Sequence, residues 1–256
     1  MNVDQLGIPI AGVVGAMIGS FLNVLILRLP HEESIVFPGS HCPRCQTPIA
    51  WYDNVPLLSW LLLGGKCRHC REPISIQYPI IELITAALWA AAVWYYGANL
   101  TGLTAAVFGT LLLGIAVTDA RHYLIPDEYT LGGLVVGLLL SLRGGWPGLL
   151  QAVLGAATGF LILYIVAVAG KKVFGKDAMG GGDVKMMAMV GAFVGWRGVL
   201  LTIFVGSLLG TVVFVPLSLR QKRLVPFGIF LAAAAALTFV LGDAMISWYL
   251  DWVLGG

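Results

Sequence analysis

Charged side chains are scarce in this sequence. Only 11% of its 256 residues are Asp, Glu, Lys or Arg, whereas 59% are hydrophobic, and the mean hydropathy is +0.90. A soluble domain has about 25% charged residues, so this composition excludes a single soluble globule. The net charge of +2 gives no support to a nucleic-acid partner. Alternating segments of roughly ten residues, typical of a membrane β-barrel, are also missing. The long apolar runs instead predict an all-α polytopic membrane protein in a lipid bilayer.

The amino-terminal stretch lacks a basic residue before its first apolar run. A cleaved signal peptide needs a positively charged n-region, so we expect this run to be a retained span with its amino end outside the cytoplasm. The eight predicted spans cover about residues 7–29, 78–96, 102–118, 129–142, 147–169, 184–196, 198–219 and 225–241. The sixth is short, because its helix rises only about 20 Å against a hydrocarbon core of about 30 Å. We expect the tail, 243–256, to lie at the interface or to prolong the last helix.

Basic residues are nearly missing from one side of the predicted membrane. With eight spans and the amino end outside, 13 of the 15 Lys and Arg residues fall on the cytoplasmic side, and only Arg143 and Arg197 fall outside. This bias follows the positive-inside rule. It predicts a multi-pass protein of the cytoplasmic (inner) membrane. We predict three parts: a first transmembrane helix at 1–29, a cytoplasmic domain at 30–78, here called the cysteine segment, and a transmembrane domain at 79–256.

Cysteine is rare, and all four cysteines lie in the cysteine segment. They form two Cys-x-x-Cys pairs with 21 residues between them: Cys42, Cys45, Cys67 and Cys70. This spacing is typical of one tetrahedral zinc ion. Two disulfides are the alternative, which a reducing cytoplasm disfavours. A site with four protein ligands is closed, so we expect the zinc to be structural and to let a small segment fold.

Acidic side chains are almost confined to the predicted loops. Glu82, Asp119 and Asp183 adjoin span ends closely enough to be costly in hydrocarbon, which makes them candidates for function. Asp119 closes an apolar run, and Asp183 follows the glycine run 180–182. Two carboxylates at one membrane face could share a proton and activate water against a peptide bond. The alternatives are a helix cap for Asp183, and a cap or a partner of Arg121 for Asp119.

Neighbouring residues allow more than one interpretation. The glycine run lacks the Gly-Lys-Ser/Thr ending of a phosphate-binding loop. It permits close approach of a backbone or a substrate, or it is a flexible linker. Glu82 is predicted to snorkel or to pair helices, and Asp127 to cap a helix. Lys185 is predicted to meet lipid headgroups or to hold a carboxylate.

The motifs taken in order resemble the type IV prepilin peptidases, which are bifunctional leader peptidases and N-methyltransferases. The resemblance runs nearly end to end, and one departure is Ala178, where the longer glycine motif often begins with glycine. It is carried by Gly19-Ser20-Phe21-Leu22-Asn23-Val24, Arg28-Leu29-Pro30, the cysteine segment from Cys42 to Tyr78-Pro79 and Glu82, Asp119 with Ile125-Pro126-Asp127, Gly180-Gly181-Gly182-Asp183-Val184-Lys185, and Pro226-Phe227-Gly228.

The resemblance implies an aspartyl protease that uses Asp119 and Asp183. Its substrate would be a prepilin or pseudopilin, with a basic leader in the cytoplasm and an apolar helix in the membrane. Cleavage would follow a glycine at the membrane face, and S-adenosylmethionine would then methylate the new amino terminus. The cysteine segment contains no strand–GxGxxG–helix unit, so no residues are predicted for the methyl donor.

Three other functions remain open at this point. The first is a peptidase without methyltransferase activity. The second is a proton- or cation-coupled transporter, which needs its acids near mid-membrane. The third is a zinc-bearing docking module whose membrane part is an anchor, although eight spans are far more than an anchor needs.

Overall fold

The structure is a computed structural model that describes residues 3–175, 179–220 and 226–254. Lys176, Ala178, Lys222 and Arg223 lie outside the described residues. The described ranges form eight α-helices and no β-strand, apart from two isolated bridges. The prediction of an all-α protein is therefore confirmed. The helices are α1 (Val3–Arg28), α2 (Leu58–Leu62), α3 (Gln77–Tyr96), α4 (Leu100–His122), α5 (Asp127–Ser141), α6 (Gly145–Phe174), α7 (Gly181–Arg220) and α8 (Gly228–Leu254).

Six helical stretches of the described chain are long and apolar enough to cross a membrane. Two of these stretches contain a break. A short turn at Leu142–Gly144, followed by Gly145 with a φ of 63°, separates α5 from α6. Gly195, with a φ of 67° and a ψ of 176°, interrupts α7. Six stretches with two breaks give eight apolar segments, which correspond to the predicted spans, and the number of membrane crossings stays a prediction.

Several helices extend beyond the predicted spans, and two of these extensions, in α4 and α8, bear on the predictions. The third span was predicted to end at residue 118, but α4 continues to His122, so Asp119 lies inside its last turn. The backbone N–H of Tyr123 donates to the carbonyl of Asp119 at 2.9 Å, which closes this turn. The tail after residue 243 prolongs α8 as far as Leu254, which confirms that it prolongs the last helix, and its place at the membrane interface stays a prediction.

The first compact unit, Met1–Thr110, contains α1, α3 and the cysteine segment. Its boundary falls within α4, and the predicted three-part division stays a prediction. Helix α1 packs along α3, because glycines let the backbones approach. A Cβ at Gly15 would lie 2.7 Å from the carbonyl oxygen of Thr85, and one at Gly19 would lie 2.8 Å from Cα of Glu82. The fully buried Asn23 donates to the carbonyl of Tyr78 at 3.1 Å and fixes the register of this pair.

The second compact unit, Leu111–Gly256, is built around α7, which packs against α5, α6 and α8. Helices α6 and α7 cross where Gly155 and Gly191 bring their backbones into contact. On α7, three methionines are completely buried, as expected for packing residues: Met186, Met187 and Met189. This packing holds the first turn of α7, which contains Asp183.

Candidate active site and cysteine cluster

Asp119 is a buried carboxylic acid at the end of α4. Its side chain is only 6% exposed. The backbone N–H groups of Gly228 and Ile229, at the start of α8, face its carboxyl group. Its Oδ2 atom still makes no hydrogen bond of normal geometry within the described residues. Burial disfavours a negative charge on Asp119, and the amino end of α8 offsets part of this cost because a helix amino end favours a negative charge nearby.

Asp183 is the third residue of α7 and lies in its first turn. It is therefore inside the helix and not at the capping position that precedes it. The backbone N–H of Gly180 faces its carboxyl group. The negative charge of Asp119 acts on the carboxyl group of Asp183, which indicates that the two groups lie on the same side of this packing.

Ile125 connects the two aspartates by packing. This side chain is 6% exposed and lies between two glycines. A Cβ at Gly182 would lie 2.9 Å from Cβ of Ile125, and a Cβ at Gly228 would lie 2.8 Å from Cδ1 of Ile125. The same Cβ at Gly228 would also lie 2.6 Å from Oδ2 of Asp119, so the glycine leaves room for this carboxyl group. A continuous set of contacts thus runs from Asp119 through Gly228, Ile125 and Gly182 to the turn that contains Asp183.

An ion pair lies beside this packing. Lys185 Nζ donates to both carboxylate oxygens of Asp127 at 2.7 Å. The prediction that Lys185 could hold a carboxylate is therefore confirmed. The prediction of a cap at Asp127 is wrong, because Pro126 occupies the capping position and Asp127 is the first residue of α5.

The four predicted metal ligands converge in the first compact unit. The Sγ atoms of Cys42, Cys45, Cys67 and Cys70 all lie within 4.8 Å of one another. The Sγ atoms of Cys42 and Cys70 are 3.8 Å apart, and the four cysteines are free thiols rather than disulfides. A tetrahedral metal with bonds of about 2.3 Å places its sulfur ligands about 3.8 Å apart. The cluster therefore has the geometry of a four-cysteine metal site.

Two equivalent turns present these sulfurs. In each turn the first cysteine N–H donates to a carbonyl five residues later, from Cys42 to Thr47 at 3.0 Å and from Cys67 to Glu72 at 2.9 Å. In the second turn, the backbone N–H groups of Cys70 and His69 lower the pKa of the Cys67 thiol. Both turns read Cys-x-x-Cys-x-x-Pro-Ile, a short internal repeat that is visible in the sequence but that the sequence analysis missed.

The loop before α2 ties the cysteine turns to the helices. Arg68 donates to both oxygens of Asp53, at 2.7 and 2.6 Å, and this hydrogen bonding lowers the pKa of Asp53. Further along the loop, the backbone N–H of Leu57 donates to Oε2 of Glu82 at 2.8 Å. Leu57 has a φ of 64°, which is uncommon for a residue with a branched side chain.

Glu82 is therefore a structural acceptor. It is 6% exposed and lies on α3, and the hydroxyl of Ser20 on α1 also interacts with it. The prediction that Glu82 could pair helices is confirmed by its contact with α1, but the contact with Leu57 was not predicted. Sequence spacing could not reveal it, because the two residues are 25 positions apart and on different elements.

Two family models cover most of the chain. The bacterial peptidase A24 N-terminal domain matches residues 13–96, which include the four cysteines and Glu82. The type IV leader peptidase family matches residues 106–215, which include Asp119 and Asp183.

Curated relatives extend the comparison over the whole chain, although no solved structure matches it. The prepilin leader peptidase/N-methyltransferase of Xanthomonas campestris pv. campestris is 37% identical and covers 96% of this chain and 95% of the relative. That of Neisseria gonorrhoeae is 35% identical, with 97% and 96% covered. That of Myxococcus xanthus is 41% identical, with 84% of this chain and 64% of the relative covered. The chain is a member of the type IV leader peptidase family.

Proposed function

We propose that this protein removes the basic leader from type IV prepilins or type II secretion pseudopilins, and then methylates the new amino terminus. The observation that carries the proposal is the convergence of Asp119 and Asp183, whose turns are joined through Gly228, Ile125 and Gly182. Membership of the family, and relatives named prepilin leader peptidase/N-methyltransferase, support the same function.

The chemistry requires only the two carboxyl groups and a water molecule. Two neighbouring carboxylates do not both ionise readily, so they hold one proton between them. The ionised group takes a proton from water as the oxygen adds to the scissile carbonyl carbon, and the protonated group gives its proton to the carbonyl oxygen. Collapse of the tetrahedral intermediate then breaks the C–N bond, and the leaving nitrogen receives a proton. Asp119 and Asp183 act as a unit, so neither is assigned a single role.

The position of the two aspartates favours a peptidase over a transporter. A proton or cation relay needs its acids near the middle of the membrane. Asp119 lies in the last turn of α4, and Asp183 lies in the first turn of α7. Acids at helix ends suit a substrate that is cut where its apolar helix leaves the membrane.

We further propose that the cysteine cluster binds a structural zinc ion. The sulfur separations support this assignment, and zinc held by four thiolates has no open position for catalysis. Zinc would fix the two cysteine turns together in a segment that has little apolar core of its own.

The methyl donor in our proposal is S-adenosylmethionine, which supplies the methyl group when bound. The described residues contain no strand that leads into a glycine-rich turn, so a Rossmann-type site for this molecule does not fit the structure. We assign no residues to it.

The proposed location is the inner membrane, with the amino end outside and with the cysteine segment and both aspartates on the cytoplasmic side. The bias of 13 basic residues to 2 supports this orientation. It also supports the division into a first helix at 1–29, a cytoplasmic domain at 30–78 and a transmembrane peptidase domain at 79–256.

The function is tested by incubating the purified protein in lipid nanodiscs with a prepilin and S-adenosylmethionine. Mass spectrometry of the product should show loss of the leader after a glycine and the gain of one methyl group. A prepilin with a bulky residue in place of that glycine serves as the control and should stay intact. A cleaved but unmethylated product would favour the peptidase alone, and an uncut parental substrate would contradict the proposal.

A further inference from the structure

An ion pair joins the two helices that begin at the candidate active site. Lys185 lies in the first turns of α7, and Asp127 is the first residue of α5. Lys185 Nζ is 2.7 Å from each carboxylate oxygen of Asp127, although the residues are 58 positions apart in sequence. The pair therefore fastens the beginning of α7 to the beginning of α5.

The place of Lys185 on α7 relates this contact to Asp183. An α-helix turns by about 100° per residue, so side chains two positions apart point about 200° away from each other. When Lys185 is held against α5, Asp183 must point to the other side of α7. On that side of α7, the negative charge of Asp119 acts on Asp183. The contact of Gly182 with Ile125 limits how closely the backbones approach, but a glycine without a side chain restrains rotation poorly.

We propose that Asp127 and Lys185 are positioning residues, whose ion pair sets the rotation of the first turn of α7 and so keeps the carboxyl group of Asp183 turned toward that of Asp119. This inference rests on the proposed function of the two aspartates. The pair does not touch the scissile bond and acts only through Asp183.

The exposure of the pair sets the size of its effect. The side chains of Lys185 and Asp127 are 40% and 51% exposed, and ion pairs of this kind contribute little to stability. A restraint cannot shift an orientation by more than its own interaction free energy. Loss of the pair should therefore reduce kcat by about two- to fivefold, while the protein stays folded.

The experiment measures kcat and KM for prepilin cleavage by Asp127→Asn, Lys185→Gln and the charge-reversed double variant Asp127→Lys/Lys185→Asp. Each single variant should lower kcat by about two- to fivefold with KM unchanged. The double variant restores the attraction with opposite signs and should recover most of the lost kcat. Glu128→Gln removes the same charge at the next residue of α5, and it should match the parent.

Single variants with the parental kcat would overturn the inference. A double variant whose kcat is no higher than that of the less active single variant would also overturn it. A change confined to KM would also overturn it, because the pair would then act on substrate binding. Asp119→Asn and Asp183→Asn are assayed beside them. If these two variants still cleave, the proposed function fails, whereas if they are inactive and the pair variants are parental, only the positioning role fails.

Discussion

The glycine run before Asp183 offers a sharp test of the site, because its members have different surroundings. A Cβ at Gly182 would lie 2.9 Å from Cβ of Ile125 and 3.4 Å from its carbonyl oxygen, whereas one at Gly181 would have nothing within 4 Å. Neither glycine has a positive φ, so alanine is excluded at Gly182 by contact and not by backbone conformation. Gly181→Ala is thus a matched control for Gly182→Ala.

The expected loss follows from the overlap. Carbon atoms in good contact are about 3.5–4.0 Å apart, so alanine at Gly182 must move the turn away from Ile125 by roughly 0.6–1 Å. Overpacking of this kind costs about 1–3 kcal/mol. A displacement of about 1 Å at a catalytic group can cost about 100-fold in rate.

The assay is kcat/KM for prepilin cleavage by the purified variants in nanodiscs. Gly182→Ala should lose about 10- to 100-fold, and Gly181→Ala should stay near the parental value. Equal activity of the two variants, whether high or low, would refute the reasoning, because it would mean that packing on Ile125 does not position Asp183.

Contacts in the first compact unit give three further expected outcomes. Chelation or Cys67→Ser should make the cysteine segment sensitive to protease, and a resistant, zinc-free protein purified under reducing conditions would contradict the metal assignment. Glu82→Ala should lower stability by about 1–3 kcal/mol, because it leaves the N–H of Leu57 unpaired, whereas Glu82→Gln keeps an acceptor; equal melting temperatures would contradict this. Arg68 lowers the pKa of Asp53 in the folded protein. The Asp53–Arg68 ion pair therefore stabilises the fold fully above the ordinary Asp pKa of about 3.9, and this stabilisation is lost as the pH falls through the lower pKa of the folded state. The protease resistance of the parent and of Asp53→Asn should therefore converge at acidic pH, and a difference that grows on acidification would contradict the assigned cause.

Local pattern was enough to predict the long apolar helices and the cysteine cluster, but not the short helix α2. Apolar runs fix where helices form, and two closely spaced thiol pairs have few ways to bind a metal. Helix α4 continues one turn past the predicted end of the third span, because hydrophobicity falls at Asp119 while the backbone hydrogen bonds of the helix continue to His122. The predicted boundary between the sixth and seventh spans, at 196–198, lies next to the break at Gly195 but does not include it.

The partners of individual polar residues could not be predicted in the same way. Lys185 could be assigned to lipid or to a carboxylate from sequence alone, and only the approach of α5 to α7 selects Asp127. The contact of Glu82 with Leu57 depends on a loop with an unusual backbone conformation. Gly182 could be assigned to close approach but not to Ile125 in particular, and Gly228 was noted only as part of a family motif. Each of these contacts joins residues that are distant in sequence, and their spacing contains no periodic pattern.

The most direct measurement is prepilin cleavage by Asp119→Asn and by Asp183→Asn, each purified as a folded protein in nanodiscs. Asparagine keeps the size of the side chain but can neither accept the proton from water nor donate one to the carbonyl oxygen. Our account predicts that each single variant leaves the prepilin uncut. Cleavage near the parental rate by either variant would contradict it.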